Sequence, residues 1–307
     1  MAPIRAPETP SVASSSHELP VVSLADVIER VIAPTTLLAA FAYYFGREFT
    51  FARVNAYGLD ASLLGLTAQD YVLRSVDALF VPLGALVLGA LVAVTAHRVI
   101  DAYSRSARSV HWLWPLGMTL ASTGLALLLV GVYAIFGDVP SLAQTWYLLP
   151  SLAPGIGMLL LAYGAKLARP AWFKEAGTSQ TVKFLVGSFL ILSLFWTGSV
   201  YARALGRGRG EAVLDNLSAR PAVTVYSQQR LLLQGPGIRE TTLSPGQSSH
   251  IPPSEPEFSY RYDGLRLIIR SGGNYFLLPE RYSRSTGATI MLKESSALRF
   301  EFLRGLS

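Results

Sequence analysis

The chain contains no cysteine among its 307 residues, which excludes disulfides, thiolate metal sites, thiol catalysis and cysteine-ligated iron–sulfur clusters. Its four histidines, His17, His97, His111 and His250, are scattered too widely for a histidine-rich metal centre. Charge is scarce as well. Charged residues make up 15% of the chain and hydrophobic ones 51%, against about 25% charged in a typical globular domain. An ordinary cytosolic enzyme is disfavoured by that balance, and a membrane protein is favoured. The 22 arginines outnumber the four lysines but are dispersed along the chain, so they form no basic stripe for nucleic acid and none is expected as a partner.

What the chain does have is long apolar runs. A helix crosses a hydrocarbon core about 30 Å thick with about 20 mostly apolar residues. Residues 78–96, 112–137, 139–165 and 184–202 satisfy this, and none of the four stretches holds Asp, Glu, Lys or Arg. A fifth run, 31–46, is shorter and reads as a span continued by Phe49 and Phe51, with an interfacial helix as the alternative. Residues 1–30 carry Pro3, Pro7, Pro10, Pro20 and the serines Ser14–Ser16, which interrupt any signal-peptide core, so a flexible polar tail is expected.

Orientation follows from the positive residues, which favour the cytoplasmic side in short loops. With five spans, Arg5, Arg30, Arg98, Arg105, Arg108, Lys166, Arg169, Lys174 and Lys183 fall on one side, and Arg47, Arg53, Arg74, Arg203, Arg207 and Arg209 on the other, nine against six. This predicts a cytoplasmic amino terminus and an extracytoplasmic carboxyl-terminal region, in a bacterial cytoplasmic membrane. Trp112, Trp114, Trp146, Tyr147 and Trp172 lie near span ends, as in aromatic belts.

Ionisable groups at membrane depth cost roughly 3 kcal/mol each on insertion scales and are usually kept for transport or proton relay. The spans have none, which argues against ion-coupled pumps. Small residues at four-residue spacing, Ala85, Gly89 and Ala93 in one span and Gly117 with Ala121 in the next, permit close helix packing within the bundle or in a homo-oligomer. Pro150, Pro154, Gly155 and Gly157 predict a kink near the outer end of the fourth span. A substrate-binding broken helix, and hence a small-molecule or lipid permease, is the alternative function that kink suggests.

The first loop is more ordered than a simple connection requires. Residues 55–60 read as a turn, Leu63, Leu64 and Leu66 as an apolar patch, and Thr67 with Asp70 as the start of a helix that enters the second span. Asp70, Arg74 and Asp77 then share one helix face and are candidates for ion pairing at the interface.

After the last span, residues 204–219 form a Gly- and Arg-containing connector ending in a short helix, and Arg203, Arg207 and Arg209 lie within reach of anionic lipid headgroups, worth about 1 kcal/mol per basic residue. From 220 the pattern changes to alternation. Val223 and Val225, then Leu231 to Leu233, then Phe258, Tyr260 and Tyr262 up to an Asp263-Gly264 hairpin turn predict strands. Leu265, Leu267 and Ile269 run to a turn at Ser271 to Asn274, Tyr275 to Leu278 returns, and Ile290 with Leu292 and Leu298, Phe300 and Phe302 complete about six strands. Residues 244–256 read as a long loop around a solvated His250. The acidic residues after 204 show no paired-carboxylate or metal spacing, and the Gly206 to Gly210 run lacks the lysine of a phosphate loop.

Three segments, Tyr44-Phe45-Gly46, the run from Leu64 to Ser75, and Tyr260 to Leu267 with Tyr275 to Pro279, resemble uncharacterised multi-pass membrane proteins of actinobacteria. The resemblance implies location and architecture, with no activity or cofactor to carry over. The expected fold is an α+β membrane protein, a bundle of four to five transmembrane helices (31–203) followed by a small antiparallel β sandwich or barrel (220–307). Its expected role is non-enzymatic: an anchor, in contact with membrane lipids, for an extracytoplasmic β-rich interaction or sensing domain that meets a protein partner through residues 220–307.

Overall fold

A computed structural model of the protein describes residues 33–106, 113–136, 148–168, 180–243, 258–284 and 287–304. The expected polar tail, the beginning of the fourth expected span, much of the cationic loops and the loop around His250 lie outside the described residues.

Among the described residues five long helices come first: α1 (Ala33–Asn55), α2 (Ala68–Ser106), α3 (Leu113–Phe136), α4 (Leu149–Ala168) and α5 (Gln180–Asp215). The last four are long and apolar enough to cross a bilayer. The expected first span, 31–46, corresponds to the opening part of α1, which is not among the four; its second half carries Arg47, Glu48 and Arg53. Large apolar side chains such as Leu86, Val87, Leu91, Phe184 and Ile191 project outward from the helices, as expected for surfaces solvated by lipid rather than water.

Backbone contact between helices is set by glycine. Along α3, Gly117, Gly124 and Gly131 recur every seven residues and face Gly164, Gly157 and Pro154 of α4 in that order, so the two helices run antiparallel. A Cβ at Gly124 would lie 2.6 Å from the Gly157 carbonyl oxygen and one at Gly164 would lie 2.5 Å from the Ala121 nitrogen. Close approach of this kind gives helices in lipid their packing energy. Gly117 and Ala121 thus do pack, against Gly164. The other small-residue set behaves differently: Ala85, Gly89 and Ala93 are exposed, with no atom within 4 Å of a Cβ built at Gly89.

The helix α5 continues without interruption through residues 204–215, where the sequence suggests a connector. The reason is a four-residue ladder of small residues, Gly198, Ala202, Gly206 and Gly210, seated on α1. A Cβ at Gly206 would stand 2.2 Å from the Phe49 carbonyl oxygen and one at Gly210 2.5 Å from that of Arg53. Glycine costs a helix about 1 kcal/mol relative to alanine, and here the close contact with α1 offsets it.

The carboxyl-terminal region is an antiparallel sheet of six strands: β1 (Ala222–Ser227), β2 (Arg239–Thr242), β3 (Tyr260–Ser271), β4 (Asn274–Pro279), β5 (Ile290–Lys293) and β6 (Leu298–Leu303). The order is β5-β4-β3-β1-β6, with β2 and β4 sharing one edge of the long β3. Register irregularities in the β1–β3 and β3–β4 ladders, each with its extra residue on β3, bend the sheet. Tyr275 of β4 stacks on Phe300 of β6 with ring centroids 4.1 Å apart although two strands separate them, so the sheet curls toward itself. No ladder joins β5 to β6 among the described residues.

Two turn assignments separate in the structure. The turn at Ser271 to Asn274 forms as expected, with Gly272 and Gly273 at φ of 58° and 74°. Asp263-Gly264 is not a hairpin: β3 continues through it with a bend, and Gly264, at φ of 84°, marks a place where the Gly237 carbonyl would stand 2.0 Å from a Cβ. Gly264→Ala is therefore expected to destabilise the sheet by more than about 1 kcal/mol, read as faster limited proteolysis between β2 and β3. The expected strand at Leu231 to Leu233 is also absent. That segment is irregular, the Leu231 amide donating to the Tyr262 hydroxyl at 2.8 Å, and the second strand is instead the exposed β2, which has no apolar alternation to reveal it.

Two cores result, one on each face of the sheet. Val223, Val225, Tyr262, Leu265, Tyr275 and Leu277 fill the concave side. On the other side Phe276 enters a second cluster with Val54, Tyr57, Leu59, Leu64 and Val213, drawn from α1, the first loop and α5.

Candidate functional site

The most constructed region of the molecule is the junction where the first loop and the ends of α1 and α5 meet the sheet. Locally it begins at Asp60, whose carboxylate accepts the Ser62 amide at 2.8 Å and caps a 3-10 turn over Ala61–Leu64. Hydrogen bonding by Ser62 holds the Asp60 carboxyl below its usual range. Its stabilising effect is thus complete above the ordinary carboxylate pKa and is lost as the pH falls through the lowered value. Gly65, at φ of 58°, closes the turn. Ser271 then donates to the Leu64 carbonyl and Thr289 to the Tyr57 carbonyl, both at 2.6 Å, so the sheet is hydrogen-bonded to the loop above their shared core.

The expected trio on α2 is split between two tasks. Asp70 caps its own helix, accepting the Thr67 amide and hydroxyl at 2.8 Å each. Asp77 pairs with Arg209 of α5. Arg74 joins no ion pair among the described residues. Arg203 reaches Glu48 of α1 at 3.4 Å, and Arg47 approaches the same carboxylate at 3.7 Å. The arginines and Asp77 are nearly half exposed and Glu48 is 18% exposed, and pairs with such solvent access contribute about 0–1 kcal/mol each.

The proline and glycine candidates on α4 lie elsewhere and do packing work. Pro150 occupies the first turn of α4, where its missing donor costs nothing. Pro154 fills the space opposite Gly131, and a Cβ at Gly155 would stand 2.7 Å from the Ser193 hydroxyl of α5. The Thr197 hydroxyl donates to the Ser151 carbonyl at 2.8 Å, tying α5 to the same turn.

Two cavities flank α5 at the junction. The smaller, about 360 Å³, mixes Glu48, Asn55 and Asp60 with Arg203 and Arg207. The larger, about 450 Å³, is lined by Arg53, Arg209 and Arg220 with Asn216, and by no carboxylate. The Arg53 Nε is buried without a hydrogen-bond partner. Arg220 sits on a turn fixed by the buried Arg266, whose guanidinium donates to the carbonyls of Ser218 at 3.2 Å and Arg220 at 3.1 Å and also binds Glu280. Arg203, Arg207 and Arg209 therefore divide between two cavities rather than forming one cluster.

Arg53, Arg220 and Glu48 carry no signal as a group in the sequence. Glu48 and Arg53 lie beyond the apolar run that draws attention to α1, and the fold alone brings Arg220 to Arg53. The four-residue ladder ending at Gly210 is the one pattern that could have revealed the pairing of α5 with α1.

Among the described residues, no group of three or more His, Asp or Glu side chains could hold a metal ion. Comparison with known protein families, characterised proteins and solved structures gives no match. The likeness to actinobacterial proteins rests on the quoted segments alone, and the architecture stands on its own: a multi-pass membrane protein with a carboxyl-terminal antiparallel β domain.

Proposed function

We propose that the bundle is a non-enzymatic anchor that presents the sheet, as an interaction or sensing module, on the extracytoplasmic side of a bacterial membrane. The observation that carries the reading is the second core: Phe276 of the sheet packs with Tyr57 and Leu64 of the first loop and Val213 of α5. A module built into the bundle in this way passes its ligand state to α1, the first loop and α5, which a domain on a loose tether does not. Exposed Met291 of β5 and Phe302 and Leu303 of β6 place apolar side chains on the two edge strands of the sheet, the position where added partners engage. The distribution of positive residues supports an amino terminus inside and the sheet outside.

Four helices separate the first loop from the sheet among the described residues, and the two are in direct contact through Phe276 and Ser271, so both are read as lying on one side of the membrane. The absence of native cysteine makes the side measurable. Ser62→Cys in the first loop and Ser295→Cys in the sheet should both react with a membrane-impermeant maleimide in intact cells, and Ser109→Cys only after permeabilisation. Labelling of Ser109→Cys alone in intact cells would invert the orientation, and with it the proposed site of action. For the interaction itself, affinity capture should recover a partner that is lost with Met291→Ser and Phe302→Ser in protein that remains folded; identical partner sets would reject the module.

A further inference from the structure

We propose that the cavity between α1, the end of α5 and the turn before β1 is a binding site for a phosphate-bearing anion, held by Arg53, Arg209 and Arg220. This goes beyond the role proposed for the sheet and does not depend on which partner the sheet meets. The cavity holds three guanidinium groups and no lining carboxylate. Two carboxylates close by are in ion pairs, Asp77 with Arg209 from the α2 side and Glu211 with Arg284 at 3.6 Å, and Asp215 at the end of α5 is exposed and is not among the lining residues. Neither Arg53 nor Arg220 has an ion-pair partner among the described residues, and the Arg53 Nε is a buried donor with nothing to donate to. Arg53 and Arg220 thus bring to the cavity wall two guanidinium charges that no lining carboxylate neutralises. Guanidinium groups present forked donors that match phosphate oxygens.

Two features make the site preorganised. Arg266 fixes the turn that carries Arg220 through two carbonyl bonds, and Gly210 lets α5 approach the Arg53 backbone closely. The carbonyl end of α5 adds roughly half a negative charge near the cavity, which Arg53 and Arg220 outweigh even with Arg209 paired to Asp77. The location, where α5 leaves its apolar segment, admits two sources of the same chemistry: a phospholipid headgroup or free phosphate.

The test uses full-length protein in nonionic detergent, titrated with inorganic phosphate by calorimetry, and the same protein in phosphatidylcholine vesicles containing phosphatidylglycerol, assayed for anionic lipid that co-purifies after re-extraction. At least one of the two anions should bind. Arg53→Gln and Arg220→Gln should each weaken binding about tenfold or more, the loss of one charge-assisted hydrogen bond, while Arg239→Gln on β2 leaves it unchanged. Phosphate heat identifies a soluble anion; retained phosphatidylglycerol without phosphate heat identifies a headgroup. Failure of wild-type protein to bind either anion, or wild-type affinity in both variants, would overturn the proposal. Should Arg53→Gln not fold, Arg220→Gln on its surface turn decides the matter by the same measure.

Discussion

Phe276→Ala is expected to free the first loop from the sheet, at a cost of about 3–5 kcal/mol for emptying a buried aromatic site. Phe276 is fully buried, and its neighbours come from three separate parts of the chain: Val54 of α1, Tyr57, Leu59 and Leu64 of the loop, and Val213 of α5. Those neighbours sit on elements anchored in the bundle, so the cavity cannot collapse without moving a helix. Leu277 is the natural contrast. One residue along the same strand, it points to the opposite face and packs with Val223, Val225 and Leu265. Hydrogen exchange read by mass spectrometry separates the two variants: Phe276→Ala should lose protection in residues 56–66 while β1 and β3 keep theirs, and Leu277→Ala should lose it across β1 and β3. Retained protection of the loop in Phe276→Ala would mean that Ser271 and Thr289 alone hold the sheet in place.

Gly46→Ala should be the most damaging single methyl group in the bundle. A Cβ at Gly46 would stand 1.8 Å from the Tyr71 carbonyl oxygen, 2.7 Å from its carbon and 3.1 Å from the Ser75 nitrogen. All three are backbone atoms of α2, so no side chain can rotate away and the helices must separate. Tyr43, edge-on to Tyr71 at 5.6 Å, and Thr50, bonded to the Gly46 carbonyl at 2.7 Å, would shift with them. An overpacking cost of about 3 kcal/mol or more follows. The fraction of monodisperse protein surviving a heat ramp in detergent should fall well below wild type, whereas Gly89→Ala, with open space around it, should survive as wild type does. Equal survival of the two variants would rule out this contact between α1 and α2.

The two variants touch different kinds of information in the sequence. Apolar runs without ionised residues mark α2 to α5, because lipid enforces that composition on any crossing helix. Thr67 and Asp70 announce the start of α2 because a cap is a local bond, and Ser271 to Asn274 announces its turn because Gly272 and Gly273 are local conformations. Gly264 shows where such reasoning fails: the same positive φ that makes a hairpin also makes a bend inside a strand, and only the distant Gly237 carbonyl decides between them. The Gly206 to Gly210 segment fails for a related reason. Its arginines suggest a solvated connector, while Gly206 and Gly210 are spacers fitted to a helix more than 150 residues earlier in the chain. Arg53 and Arg220 become neighbours of one cavity only after that fit is made.

The unbroken length of α5 has a mechanical meaning. Its 36 residues extend about 54 Å at about 1.5 Å per residue, with no proline along them to act as a hinge. A rod of that kind turns small rotations into large displacements: tilting by about 10° swings one end by about 9 Å relative to the other over that rise. Tilting is one way a long apolar helix accommodates a change of bilayer thickness, and because α5 is seated on α1 through Gly206 and Gly210 and packs with Phe276 through Val213, such a tilt would carry α1 and the sheet with it.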